Sequence, residues 1–151
     1  MKLASQRIVE APIEDVYAAI MDFQAFEEML SARGTKIERC GPLQPPEPGA
    51  QWAASFKWHD RSYDVQAELV SVDPGYGYAI DSHGNGITCM AVVDLQEASV
   101  TETKLFISFD FSARSFSSKL LLQTLRLTGP SLNRRLDKRV ETFAARLGKR
   151  T

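Results

Sequence analysis

The stretch QWAASFKWHDRSYDVQAEL, Gln51 to Leu69, decides how this chain folds. Trp52, Ala54, Phe56 and Trp58 fall on one phase of an extended strand, and Gln51, Ser55 and Lys57 fall on the other. Tyr63, Val65, Ala67 and Leu69 alternate in the same way with Asp64, Gln66 and Glu68. Successive side chains of a strand point to opposite faces, so each half predicts an antiparallel strand with one covered face and one wet face. Between the halves stands His59-Asp60-Arg61. One reading makes His59 a general base, titrating near neutrality and oriented by Asp60. The other makes the three residues the polar tip of a hairpin. Adjacent strand side chains diverge, and an orienting pair normally comes from separate parts of a chain, so the tip is the preferred reading.

Working outward, residues 3–10 predict a first strand whose phase the sequence leaves open, so Arg7 could face either way. Pro12 punctuates it, and Glu14 and Asp15 behind the proline suit the positive end of a helix dipole. Val16, Ala19, Ile20 and Phe23 then share one helical face. Asp22 is placed to cap a second short helix, with Phe26, Met29 and Leu30 on one side and Arg33-Gly34 at its end. Thr35–Cys40 reads as a short strand, and GPLQPPEPGA, Gly41 to Ala50, as a loop, because proline cannot donate to a central ladder. Tyr76–Ser82, Ile87–Gln96 and Thr101–Ala113 complete the strands, with HGNG, His83 to Gly86, as a hairpin turn. Leu121, Leu125, Leu132, Leu136, Val140, Phe143 and Leu147 step by threes and fours, the face of a long C-terminal helix. Gly129-Pro130 predicts a kink or a short break within it.

At 151 residues the chain is expected to form a single domain, residues 1–151, with its own core. A net charge of -1 gives no general attraction to nucleic acid. No stretch reads as a secretory signal or an integral membrane segment. Cys40 and Cys89 have no metal-ligand spacing, and no metal or cofactor is expected. These features together suggest a cytoplasmic protein, monomeric or homodimeric. The basic run RRLDKR, Arg134 to Arg139, reads as a solvated helix face, since no aromatics interleave with it for base stacking.

The order is strand, two short helices, six strands and one long helix. In that frame RIVEAPIEDVYAAIMDF, Arg7 to Phe23, resembles the opening of the START/polyketide-cyclase (SRPBCC, pollen-allergen-like) superfamily, through Ile8, Ala11-Pro12, Glu14, Val16-Tyr17 and Asp22. GAQWAASFKW and SYDVQAELVSVDPG are similar to that family's third and fourth strands, and the likeness covers about residues 3–147. The resemblance implies an α+β helix-grip fold. A curved, antiparallel seven-stranded sheet would wrap around the long C-terminal helix, with two short helices after strand 1. It also implies a cavity beneath the helix, lined by the inward phase of each strand.

On that basis the expected lining is Trp52, Phe56, Trp58, Tyr63, Val65, Leu69, Tyr78, Ile80, Cys89, Ala91, Ile107, Phe109, Phe111 and Leu125, with Tyr76 also inward. His59 and His83 are expected at the pocket mouth. The function implied is binding or transport of a hydrophobic small molecule such as a lipid, isoprenoid or aromatic metabolite, with Tyr63 or Tyr78 giving a directional hydrogen bond. One alternative is a cyclase/aromatase-like enzyme, which would need His59, His83, Arg7 or Asp81 inside the cavity. Another is a protein-interaction or stress-related domain with a filled core. Binding is preferred over catalysis, because no assigned inward position carries a formal charge.

Overall fold

The computed structural model describes residues 1–58 and 60–150, apart from the side chains of Lys149 and Arg150. Strand β1 (Lys2–Val9) leads into helices α1 (Ile13–Ile20) and α2 (Phe23–Ala32). Strands β2 (Lys36–Cys40), β3 (Gln51–Trp58), β4 (Arg61–Asp73), β5 (Gly77–Gly84), β6 (Ile87–Glu97) and β7 (Thr103–Ala113) follow. Helices α3 (Phe116–Leu127) and α4 (Gly129–Arg150) close the chain. The strands form one antiparallel sheet in the order β1-β7-β6-β5-β4-β3-β2. Consecutive strands pair by hairpins from β2 to β7, and β1 joins β7, so that β1 and β2 form the opposite edges of the sheet. This is the helix-grip arrangement that the resemblance implied.

The local reasons are those of the sequence. Asp22 caps α2, its carboxylate accepting from the Ala25 N–H at 3.1 Å. Asn85 and Gly86 both take positive φ, 54° and 77°, which makes the β5–β6 connection a tight type I′ turn. Gly86 is also pressed against the start of α3, where a Cβ would come within 2.9 Å of the Ser118 Cβ. Ser115 and Ser118 form a capping box there: the Ser118 N–H donates to Ser115 Oγ at 3.2 Å, and the Ser115 N–H donates to Ser118 Oγ at 2.8 Å. The Arg114 N–H, just before the helix, donates to the Gly86 carbonyl at 3.0 Å and ties the turn to the helix start. At Gly129-Pro130 the chain breaks rather than kinks. Thr128 ends α3, and Pro130 sits in the first turn of α4, where its missing N–H has no intrahelical partner to lose.

Two clusters fill one end of the space between sheet and helices. In the first, Val9, Val16, Ile20, Leu95, Leu105, Val140 and Leu147 join α1 and the C-terminal half of α4 to β1, β6 and β7. In the second, Phe23 packs on Ala50, Trp52 and Leu69, with Tyr78 and Ile80 against them. The Phe23 ring lies 5.6 Å from Trp52 and 5.1 Å from Tyr78. Polar ties hold the same end. Thr103, fully buried, donates from Oγ1 to the Ala11 carbonyl at 2.8 Å, fixing the bend before Pro12 to the start of β7. Glu27 of α2 accepts from Arg39 Nε at 2.6 Å and from Trp52 Nε1 at 2.8 Å. Asn133 of α4 accepts from the Ala4 N–H at 3.0 Å, which satisfies a donor on edge strand β1.

Arg7 lies opposite Leu105, on the phase that faces α4, and pairs with Glu141 at 3.6 Å. Both side chains are well exposed, so the pair adds little stability. Arg134, Arg135, Lys138 and Arg139 are exposed on α4. No helix among the described residues is long and apolar enough to cross a membrane.

The polar ties at this end can be tested by stability. Thr103→Val should cost about 1–2 kcal/mol in urea denaturation, because it removes a buried hydrogen bond at nearly constant volume; an unchanged midpoint would refute the role given to the hydroxyl. For Glu27, burial opposes ionisation, but the hydrogen bonds from Arg39 and Trp52 and the Arg39 charge outweigh it and hold the carboxyl below its ordinary value of 4.5. Its folded value is depressed, so its contribution is fully present above 4.5 and is lost as pH falls through the lower, folded value. Glu27→Gln should therefore flatten the acid limb of the stability-versus-pH curve, and an identical slope in the variant would count against the contact.

Candidate functional site

The other end of the concave face is not filled. A cavity of about 310 Å³ lies between α3, the first turn of α4 and the ends of β3 to β7 that point toward α3. Its wall is built from Phe56 and Trp58 of β3, Tyr63 and Val65 of β4, Ile87 and Cys89 of β6, Phe111 of β7 and Leu3 of β1. Leu121 and Leu125 of α3 and Leu132 of α4 form its roof. Strand pairing explains why these side chains meet. Phe56 is opposite Tyr63, Ala54 opposite Val65, and Cys89 opposite Phe111, so one phase is shared across the sheet. The Phe56 and Tyr63 rings are near-parallel at 5.6 Å, and Trp58 tilts against Tyr63 at 6.2 Å. They make an aromatic wall with the Tyr63 hydroxyl as a polar point.

Polar groups enter at the β5–β6 end, through Ser82, His83, Gly84 and Asn85, and through Asp64. Ser82 is opposite Cys89 on the inward phase, and its hydroxyl donates to the Cys89 carbonyl at 3.3 Å. Gly84 lets β5 approach β4 closely: a Cβ there would collide with the Asp64 carbonyl oxygen. The Asp64 carboxylate is turned to the other face, where it accepts from the Ser55 hydroxyl at 2.6 Å. His83 belongs to β5 rather than to the turn, because the strand runs two residues beyond Ser82. It lies opposite Gln66 and Thr88 on the outward phase, is exposed, and borders the cavity rim. His59 lies outside the described residues; its neighbour Asp60 is exposed at the tip with φ 62°.

Position along the strand sorts the remaining expected residues. Phe56, Trp58, Tyr63, Val65, Cys89, Phe111 and Leu125 are on the cavity wall. Trp52, Leu69, Tyr78 and Ile80 have the same inward phase but lie in the packed cluster at the far end. Ile107 packs against the first cluster. Ala91 and Phe109 face each other between the two regions. Trp52 and Trp58 are six residues apart on one strand, about 20 Å, which is enough to separate core from cavity. Tyr76 is not inward: it precedes β5 in the turn after Asp73 and is 52% exposed.

A bulge at Val70 shifts the register between Leu69 and Ser71, so that Val72 rather than Ser71 meets Tyr78. Leu3, Ser82, Gly84 and Asn85 join the site without having been expected there. Ser82 was within reach of the argument, since it continues the phase of Ile80. Leu3 was not, because Ile8 and Val9 are both apolar on opposite phases of β1 and mask its alternation.

The chemistry of this wall is that of a neutral surface. Burial pushes the Cys89 thiol up to about 11, partly offset by the hydrogen bond with Ser82, so Cys89 is a protonated thiol at neutral pH. Burial likewise raises the Tyr78 phenol well above its ordinary value. Asp81 and Asp110 fall on the outward phase. Among the described residues no group of three or more His, Cys, Asp or Glu side chains is placed to hold a metal ion. In a Cys40→Ser background, alkylation of Cys89 by iodoacetamide should be slow at neutral pH and keep accelerating toward about pH 11; a rate that levels off near pH 8 would contradict its placement.

No family model matches the sequence, and no curated protein matches it either. Solved structures do match. An aromatase/cyclase, Zhui, from a Streptomyces species superposes with a TM-score of 0.67 at 12% identity, covering 99% of this chain and 95% of its own. Norcoclaurine synthase from Thalictrum flavum, in complex with dopamine and hydroxybenzaldehyde, gives 0.69 at 11% identity, covering 100% and 88%. A protein from Thermus thermophilus gives 0.69 at 12% identity, covering 97% of both chains. At these identities the likeness is one of fold, and it agrees with the strand order and helix placement described above: the chain shares the helix-grip fold of these solved structures.

Proposed function

We propose that this chain, acting as a single domain, binds and carries a small hydrophobic molecule in the cavity beneath α3. The observation that supports this is the aromatic wall of Phe56, Tyr63 and Trp58 facing Leu121 and Leu125 across about 310 Å³ of space. That volume lies at the lower end of the range for small-ligand pockets, about 300–1,000 Å³. Binding would be driven by removing apolar surface of the ligand from water. The near-parallel Phe56 and Tyr63 rings favour a flat, aromatic or conjugated guest, and the Tyr63 hydroxyl offers it one directional contact. Tyr78 takes no part in this, because it is packed against Phe23 at the other end. The similar norcoclaurine synthase was solved with two aromatic compounds, which is consistent with a guest of that class.

The cyclase alternative needs an acid or base aimed at the guest. Arg7 is beside Glu141, the Asp64 carboxylate is with Ser55, and His83 reaches only the rim. Among the described residues, which do not include His59, this arrangement favours carriage over ring closure.

Native mass spectrometry of the protein purified from its own host, followed by organic extraction, should release one small apolar compound. Leu125→Trp fills the cavity from the roof and should weaken uptake of that compound, or of a hydrophobic fluorophore, by on the order of tenfold while leaving the melting temperature unchanged or raised. An empty wild-type protein whose fluorophore affinity is untouched by Leu125→Trp would overturn the proposal.

A further inference from the structure

Helix α3 is apolar on two opposite faces. Leu121 and Leu125 roof the cavity and Leu122 is buried beside them. On the far side Phe116, Leu120 and Leu127 are exposed, at 80%, 51% and 86%. At 100° per residue these three fall within an arc of about 40°, roughly opposite the two cavity leucines. An apolar helix face is normally covered, and here the outer one is open to solvent.

The flank of that face is basic. Lys119 and Arg126 lie about 60–80° to one side of the apolar stripe, about two turns apart. With Gln123 they border a cleft of about 400 Å³ between α3 and β7, and among the described residues no carboxylate lines it. The helix itself, FSSKLLLQTLRL, holds no acidic residue. The whole chain carries a net charge of -1, so this is a local concentration of positive charge.

We propose that this outer face of α3 docks on a lipid surface bearing anionic headgroups. Phe116, Leu120 and Leu127 enter the boundary between headgroups and acyl chains, and Lys119 and Arg126 meet the phosphates beside it. The twelve residues of α3 are about 18 Å long, suited to lie in the interface and too short to span it. A second copy of the chain is a poorer occupant, because pairing two such faces sets Lys119 and Arg126 against their own kind. The proposal does not depend on what the cavity holds. If the cavity does hold an apolar guest, its roof is the element that touches the bilayer.

The test is flotation of the purified protein with vesicles of phosphatidylcholine alone or mixed with phosphatidylglycerol, at low and high salt. The protein should float with the mixed vesicles, weakly with the neutral ones, and be largely released by salt. F116S/L127S should weaken binding to mixed vesicles by on the order of tenfold or more. K119Q/R126Q should lose about as much on mixed vesicles and little on neutral ones. All four side chains are exposed, so circular dichroism and thermal melting should match the wild type; the vesicle result is read only from variants that pass this check. Wild-type protein that stays with neither vesicle, or F116S/L127S floating like the wild type, would refute the proposal. Concentration-dependent dimerisation abolished by F116S/L127S, without vesicle binding, would assign the face to a second copy instead.

Discussion

A seven-stranded sheet with one apolar face must have that face covered, and the rest of this structure follows from how the cover is made. The inward phase is continuous across the sheet, from Ile37 opposite Ala54 on one side to Leu3 opposite Phe109 on the other. The cover is not continuous. Helices α1 and α2 and most of α4 press on one end and build a packed core there. Helix α3 spans the other end at a distance, and the break at Thr128 allows the two helices of the C-terminal segment to do different work. Pro130 makes this break inexpensive, since a helix that begins there loses no hydrogen bond to it.

The division between core and cavity is a division along the strands rather than between faces. Trp52 and Trp58 share a strand and a phase, yet Trp52 is locked by Phe23 and Glu27 while Trp58 stands on an open wall. Large side chains at the closed end are held by ring contacts and by polar ties to α2. Those at the open end pack on one another and face the leucines of α3 across the cavity. The Arg114–Gly86 hydrogen bond and the close approach of Gly86 to Ser118 hold the start of α3 against the β5–β6 turn.

Helix α3 is therefore the element with the most varied duties. Its inner leucines complete the apolar lining, its serine cap lies close against Gly86 of the β5–β6 turn, and its outer stripe is open to solvent. A protein that only enclosed a guest would gain solubility from a polar outer face on this helix. Phe116 and Leu127 work against that, and their juxtaposition with Lys119 and Arg126 is what gives the face a specific character.

The sequence by itself determined the period, and hence the elements. Alternation in Gln51–Leu69 made strands, spacing by threes and fours made helices, Asp22 and Asn85-Gly86 marked a cap and a turn, and Gly129-Pro130 marked a break. These are short-range properties, governed by backbone stereochemistry within a few residues, and they made the helix-grip order legible, along with Phe56, Trp58, Tyr63, Val65, Cys89, Phe111 and Leu125 as one inward set. Only the tertiary structure decided which inward residues close on each other and which leave space. It also decided the phase of β1, the bulge at Val70, the outward turn of His83 and the exposed stripe on α3. Those depend on distances between elements far apart in the chain, because packing is settled by what stands opposite a side chain, and the alternation of a single strand carries no information about its partner.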